Sequence, residues 1–462
     1  MRAPKTRPLF LLASLPLLFA SAPAAPQSAE AVQEGRHPYV RAVAAGYRAA
    51  MVCGAVFNAG RTEASVDRWE LVGIYPEYDA LVRELRTSVD RRAGVVDVFW
   101  DARMPARRAV WRRGSGCTLA PIGSGTPKPG PLPTPPLAAA PPDPRPWPLG
   151  DAGIAPPPSA ALDDAVTRAF DESYGRGVHT AGVVVLRDGR VIAERYAEGF
   201  DVFTSNRTWS VAKSIAGTIV GMAGTDPRQR ANIPEWRRSP GDPRAAITVD
   251  NLLRMASGLH SDSAGNRTDA IYFGGTTVTE QATSWPLEAR PGTRFRYANN
   301  DILLAIRSVR ATIGETRYRA LPDTLFTTLG MRHTVAERDW QGNYILSSDI
   351  WTTARDLARL GQFWLQDGVW QGRRLLPARW VKYMTAQTGP QPERAERYGA
   401  SIWLFGPAQG LPAGSYSAQG NRGQFVVVIP SQRLVIVRRG EDPGAARFDI
   451  AKFAAAVIEA TK

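Results

Sequence analysis

The chain has only two cysteines, Cys53 and Cys117, and four histidines, His37, His179, His260 and His333, in 462 residues. Two thiols exclude a disulfide-built scaffold, and four histidines so far apart argue against a dedicated zinc cage. No metal or other cofactor is expected. Lysine is nearly as scarce, with six residues (Lys5, Lys128, Lys213, Lys382, Lys452 and Lys462) among 57 lysines and arginines. The net charge of +14 is therefore an arginine charge, and the arginines are scattered, with short runs such as Arg112–Arg113, Arg237–Arg238 and Arg438–Arg439. No basic tract interleaved with aromatics occurs, so a nucleic-acid partner is not expected. After the first 24 residues, no uninterrupted apolar run reaches the roughly 18 residues of a membrane span.

What is present divides the chain by composition. Arg2, Lys5 and Arg7 precede a short apolar core, Leu9 to Ala20, and Ala22-Pro23-Ala24 supplies the small residues of a cleavage site. Residues 1–24 thus read as a cleavable signal peptide, and the mature protein is expected to be periplasmic or secreted, without a membrane anchor. Export permits a disulfide, and Cys53 with Cys117 is the one available pair; the alternative is two buried free thiols. Residues 25–120 form an N-terminal accessory region, with helical spacing over Val40 to Val56. Two strands, Gly94–Trp100 and Ala106–Trp111, flank a turn at Asp101–Pro105. No catalytic constellation stands in it. Residues 121–158 are dominated by proline and are expected to be an extended linker or a surface strap.

Residues 159–462 carry the densest patterning. Ser159 can cap a helix to about Glu172, and Gly182–Leu186 and Arg190–Tyr196 flank Asp188-Gly189, a strong hairpin signal. Near the end, Gln424–Ile429 and Arg433–Arg438 read as strands joined by Pro430–Gln432, followed by a helix over Ala445–Ala460. Between these lie mainly helical and loop segments, including Val249–Met255 and Thr352–Leu365. The layout predicts an α/β (α+β) fold: an antiparallel sheet flanked by terminal helices, plus a mainly helical subdomain.

The chemistry concentrates in the helical part. Ser210 and Lys213 stand three apart at the start of a segment running to about Ala223 that is apolar on every side, which predicts a buried central helix with both side chains on one face. A serine hydroxyl needs a neighbouring base to become a nucleophile, and a lysine in a dry pocket has its pKa lowered towards that role. Ser-x-x-Lys arises about 0.3 times by chance in a chain of this composition, so alone it is weak. Tyr297-Ala298-Asn299 follows the turn Pro291-Gly292-Thr293. Tyrosine can be a second proton carrier, its pKa drawn down by Lys213, and asparagine can orient substrate or lysine. A third stretch, Ala418-Gln419-Gly420-Asn421-Arg422-Gly423-Gln424, lets backbone approach a ligand closely, and an N–H there could complete an oxyanion hole with that of Ser210. Each motif also has a bland reading: a cap with a snorkelling lysine, a packing aromatic, a glycine-rich turn.

Taken in order, these motifs resemble the penicillin-recognising serine hydrolases. Within them the chain is similar to the class C β-lactamase-related branch of esterases, D-aminopeptidases and 6-aminohexanoate-dimer hydrolases. Ile247–Leu259, Pro291-Gly292-Thr293, Leu329-Gly330-Met331 and Ala354–Ala358 add to the likeness, which spans about Ala161 to Lys462. The resemblance implies a β-lactamase/transpeptidase-like fold, Ser210 as the acylated nucleophile, and Lys213 with Tyr297 as the proton-transfer pair. It implies Asn299 as a substrate or lysine partner and Gly420, Asn421 and Gln424 as the oxyanion and substrate-binding strand. One departure matters: the strand lysine that helps hold a β-lactam carboxylate is Ala418 here. The expectation is therefore a hydrolase of a small ester, amide or short peptide, closest in look to 6-aminohexanoate-dimer hydrolases and related esterases. The alternatives are a β-lactamase or DD-peptidase and a non-catalytic binding relative; a Ser-His-Asp hydrolase lacks its Gly-x-Ser-x-Gly elbow. Trp285, Tyr272 and Trp403 are candidate pocket walls, against core packing for each.

Overall fold

The computed structural model describes residues 37–124, 142–157, 159–261 and 268–462. The expected signal segment and part of the proline-rich stretch lie outside them. Helix α1 (Pro38–Cys53) starts with proline in its first turn and runs on through a π-helical turn, Gly54–Asn58. Among the described residues Pro38–Asn58 is the one helix long and apolar enough to cross a membrane, yet 83% of it is buried inside the protein, so here it is a core helix. Its small residues are what let it pack so closely. A Cβ on Gly46 would stand 1.9 Å from the Phe273 carbonyl oxygen, and one on Gly54 would stand 2.1 Å from the Trp351 ring.

Short helices α2 (Glu63–Trp69) and α3 (Pro76–Glu84) follow, then a four-stranded antiparallel sheet in sequential order: β1 (Arg86–Asp90), β2 (Val95–Phe99), β3 (Arg107–Arg112) and β4 (Gly116–Leu119). Two of these strands were expected; β1 and β4 are the edges of the sheet, and neither alternates between buried and exposed residues in the way that marks a half-buried strand. Val96, Val98, Ala109 and Trp111 pack in one core with α1. Cys53 and Cys117 form a disulfide between the end of α1 and β4, with Cα atoms 6.1 Å apart. Closing a 64-residue separation restricts the unfolded chain by about 4 kcal/mol in the entropy model. The described part of the proline-rich stretch lies as a strap on the rest: Arg359 donates to the carbonyls of Pro148 (2.7 Å) and Gly150 (2.8 Å), and the Trp147 indole donates to Gly189 O.

Helix α4 (Ala160–Thr167), capped by Ser159, leads into the hairpin β5 (Thr180–Arg187) and β6 (Arg190–Tyr196). The chain then leaves the sheet through β7 (Asn206–Arg207) for helix α5 (Val211–Met222) and the long pair α6 (Asn299–Ile313) and α7 (Glu315–Leu329). β8 (Val335–Ala336) and β9 (Ile350–Thr352) join β7 in a small sheet, and α8 (Ala354–Leu365) brings the chain back. After the minor hairpin β10 (Val369–Trp370) and β11 (Arg373–Arg374) come β12 (Arg397–Tyr398), β13 (Trp403–Leu404), β14 (Tyr416–Gly420), β15 (Gln424–Ile429) and β16 (Leu434–Gly440). Helix α9 (Ile450–Ala460) ends the chain, starting five residues later than expected, where Asp449 caps it by accepting from Lys452 N–H.

The main sheet is antiparallel in the order β12-β13-β14-β15-β16-β5-β6, the expected architecture. Alternation along its strands builds two cores. Val183, Val185, Val427, Leu434 and Ile436 face α4 and α9, while Val184, Leu186, Val426, Val435 and Val437 join the larger core under α5 and α8. The N-terminal helix α1 belongs to that larger core.

Candidate active site

α5 is buried along its whole length except Met222. It opens at a tight turn in which Trp209 sits in the left-handed region (φ 48°) and Ser210 takes the N-cap position. A non-glycine residue there is strained and needs support from its surroundings. β7 supplies it: Thr208 N–H donates to Ile350 O (2.8 Å), and the Arg207 guanidinium lies 4.3 Å from the Trp209 ring while pairing with Asp349. The turn therefore presents Ser210 at a fixed place on the cleft floor.

Lys213, one helical turn on and 1% exposed, donates from Nζ to Ser210 Oγ (2.7 Å), Asn299 Oδ1 (2.6 Å) and Ser347 O (2.8 Å). The last two partners can only accept, so they take two N–H groups whatever the protonation state. The third position on Nζ faces Ser210 Oγ, as an N–H in the ammonium or as a lone pair in the amine. Burial drives the Lys213 pKa well below its ordinary value, opposed by the Asp349 carboxylate. The geometry therefore lets a neutral Lys213 receive the Ser210 proton. Asn299 acts on the lysine side, with its Nδ2 held by Thr268 Oγ1 at 2.8 Å.

Tyr297 completes the group. Its ring stacks on Trp403 (5.4 Å between centroids) and lies 5.1 Å from Lys213 Nζ. Burial pushes its phenol up to about 12, against the pull of a hydrogen bond with Ser210. The expectation that Lys213 draws this pKa down is corrected here: desolvation outweighs every nearby charge. At neutral pH Tyr297 is therefore a phenol, able to give a proton and to take one back.

The fourth component is the end of β14. Gly420 lies against the Ser210 turn so closely that a Cβ would stand 2.3 Å from Thr208 O and 3.1 Å from Ser210 N. Asn421 follows, exposed, and neither its N–H nor that of Ser210 donates to a protein acceptor among the described residues. Ala418, where the resemblance has lysine, is fully buried in the core, so no cation enters the cleft from that position. Gln424, expected on the substrate side, is not there. Its side chain is wholly buried, accepts from Arg439 Nε (2.6 Å) and donates to Gly440 O, tying β15 to β16.

Ser210, Tyr297, Asn299, Gly420 and Asn421 line a cleft of about 730 Å³ with Tyr272, Trp403, Trp209, Phe295, Arg394, Gln419, Ser348 and Tyr75. Tyr272 and Trp403 are walls as expected; Trp285 is not, and lies against His260 at 5.0 Å. Tyr75 comes from the N-terminal region, which the sequence offered no reason to place here. Its loop is clamped by Arg422, the residue after Asn421. The Arg422 guanidinium donates to the carbonyls of Trp69 (2.6 Å), Val72 (3.0 Å) and Gly73 (3.4 Å) and pairs with Glu441 (2.7 Å). Trp209 and Phe295 adjoin the motifs already recognised; for Arg394 and Tyr75 no local signal exists.

The Beta-lactamase family signature matches residues 164–439, more than half of the chain. A 6-aminohexanoate-dimer hydrolase of Paenarthrobacter ureafaciens is 29% identical over 318 residues, covering 62% of this chain and 79% of that protein. Among solved structures, a Bacillus anthracis protein provisionally assigned as a 6-aminohexanoate-dimer hydrolase superposes with a TM-score of 0.53 at 19% identity, over 64% of this chain and 80% of that one. A β-lactamase/D-alanine carboxypeptidase from Pseudomonas syringae gives 0.50 at 16% identity, over 66% and 100%. At these identities the structural matches speak for the fold.

Proposed function

The chain belongs to the Beta-lactamase family of serine hydrolases, and on that premise we propose that it is an exported enzyme cleaving an ester or unactivated amide through an acyl-enzyme on Ser210. The observation that carries the reading is Lys213 Nζ set 2.7 Å from Ser210 Oγ while its other two positions meet fixed acceptors, Asn299 Oδ1 and Ser347 O, which in the amine take both hydrogens and leave the lone pair for Oγ.

The step balances as follows. Ser210 Oγ bonds to the substrate carbonyl carbon as Lys213 Nζ takes the hydroxyl proton, and the carbonyl oxygen becomes an oxyanion facing the N–H groups of Ser210 and Asn421. Collapse breaks the bond to the leaving alcohol or amine. That group takes its proton from the Tyr297 phenol, which is refilled from the Lys213 ammonium. Water then attacks the acyl-Ser210 ester by the same route in reverse, releasing the acid. The buried Ala418 weighs against β-lactam hydrolysis, because the strand position that would meet a carboxylate carries no charge. The relative named for 6-aminohexanoate-dimer hydrolysis favours an amide or ester of a linear acid. Export rests on the leader-like residues 1–24 and is supported by the Cys53–Cys117 disulfide, a bond that persists in oxidising compartments.

The test is intact-mass labelling with a fluorophosphonate beside turnover of a short-chain nitrophenyl ester, on the parent and on Ser210→Ala. One adduct and turnover on the parent, with both absent from the variant, is the expected result. A folded parent that takes no label and turns over nothing refutes the reading and leaves a binding relative. Hydrolysis of a chromogenic cephalosporin at the rate of the ester would replace it with a β-lactamase.

A further inference from the structure

Beside the catalytic cleft lies a second space of about 360 Å³, and the two share Tyr75 and Asn421 as common walls. It is lined from the N-terminal region by Tyr47, Gly73 and Tyr75, and from the segment before α9 by Ala445 and Arg447, both exposed. The N-terminal region lies wholly outside residues 164–439, as do Asp442, Gly444, Ala445 and Arg447, so of the chamber's walls only Asn421 and Arg422 fall within the family match. It is not a loose seam between two bodies. Arg422 holds the loop Trp69–Gly73 by three carbonyls, and Gly444 N–H donates to Gly73 O at 2.5 Å. A Cβ on Gly73 would meet the Pro443 side chain at 2.4 Å.

The charges of the chamber are unequal. Arg422 is spent on Glu441 and the loop carbonyls, and Asp442 is spent on Arg438. Arg447 is exposed, donates to the carbonyls of Gly444 and Ala446, and forms no ion pair among the described residues. The two spaces thus adjoin at Tyr75 and the exposed Asn421, with Ser210 lining one and Arg447, a cation with no carboxylate partner among the described residues, lining the other. Each space, at about 730 and 360 Å³, lies by itself within the roughly 300–1,000 Å³ of ligand-enclosing sites, so the pair has room for more than one unit of an extended ligand.

Resting on the Ser210 reading above, we propose that these spaces form one continuous subsite pair for a linear, amide- or ester-linked oligomer with a free carboxylate end. One unit reacts at Ser210, and the next passes between Tyr75 and Asn421 to bring its carboxylate to Arg447.

The experiment compares nitrophenyl acetate with linear oligoesters of a hydroxy acid of two, three and four units, followed by acid release. The matching oligoamides of an ω-amino acid are followed by amine release. Each series is run as free acid and as methyl ester, on the parent, Ala445→Trp and Arg447→Gln. Expected is a rise in kcat/KM of about tenfold or more with length, a binding gain of the size one filled apolar subsite supplies. Ala445→Trp should abolish that rise while nitrophenyl acetate stays within about twofold, and Arg447→Gln should remove the preference for the free acid over its methyl ester. Length-independent kcat/KM, with nitrophenyl acetate still turned over by Ser210, overturns the chamber and leaves the hydrolase intact. An equal loss on acetate and oligomer in both variants overturns it too. Turnover that survives Ser210→Ala instead fails the underlying reading.

Discussion

Arg422 is the residue whose replacement tests whether the N-terminal region serves the chemistry. Its side chain is 4% exposed and that of its partner Glu441 is 1% exposed. Lysine at 422 keeps a charge for Glu441 but has no planar fork to reach Trp69 O and Val72 O at 2.6 and 3.0 Å as well. Two lost bonds from a charged donor, at about 1.5–3 kcal/mol each, give roughly 3–6 kcal/mol. Part of this appears as global destabilisation, and part as local release of the loop and of the left-handed backbone at Arg422 (φ 58°). Asn421 is the preceding residue, so release moves its N–H away from the cleft, and in the proposed mechanism loss of one oxyanion donor costs about 10²–10³ in kcat. Arg422→Lys should lower the thermal midpoint by several degrees and cut both the fluorophosphonate labelling rate and kcat on a short ester about a hundredfold, with KM little changed. A purely structural arginine moves the midpoint alone. Arg422→Lys that melts early yet labels at the parental rate would refute the link between clamp and oxyanion site.

Two further outcomes follow from the same site. Because burial holds Lys213 well below its ordinary pKa, the amine becomes available on raising the pH. kcat/KM on the short ester should climb with pH through that lowered value, then hold until Tyr297 loses its proton near about 12. A profile that begins to rise only near pH 10.5, the ordinary lysine value, contradicts the dry setting of Lys213. Gly420→Ala would set a methyl 2.3 Å from Thr208 O, forcing β14 and the Ser210 turn apart. Labelling should fall at least about a hundredfold, whereas a variant that labels normally shows that β14 does not hold the oxyanion site.

The parts of this site legible in the sequence are those whose geometry is local. Ser210 and Lys213 share a helix face because residues three apart always do, and the all-round apolar segment after them could only be a buried helix. Tyr297 and Asn299 are far away in sequence, and their place beside Lys213 rested on resemblance, not spacing. Burial was misjudged where it mattered most: a nearby cation seemed reason enough to lower the Tyr297 pKa, yet the packing of Trp403 and Tyr398 against that ring removes the water that would favour the phenolate. Gln424 shows the period-two trap. It stands opposite Gly420 in the ladder, close to the site in register, and its side chain turns inward to Arg439.

The N-terminal region was illegible for a deeper reason. A search for chemistry looks for side chains, and this region offers the site one tyrosine and three backbone carbonyls. A carbonyl is the same group in every residue, so its position carries no trace in the residue types of Trp69–Gly73. The only sequence mark of the contact is Arg422, one of many arginines, and its meaning lies in a partner some 350 positions away. The same blindness applies to the chamber beyond Tyr75, whose walls come from two ends of the chain. The part of the cleft that the family signature does not span is therefore the loop at residues 69–75, set against the turn that carries Asn421.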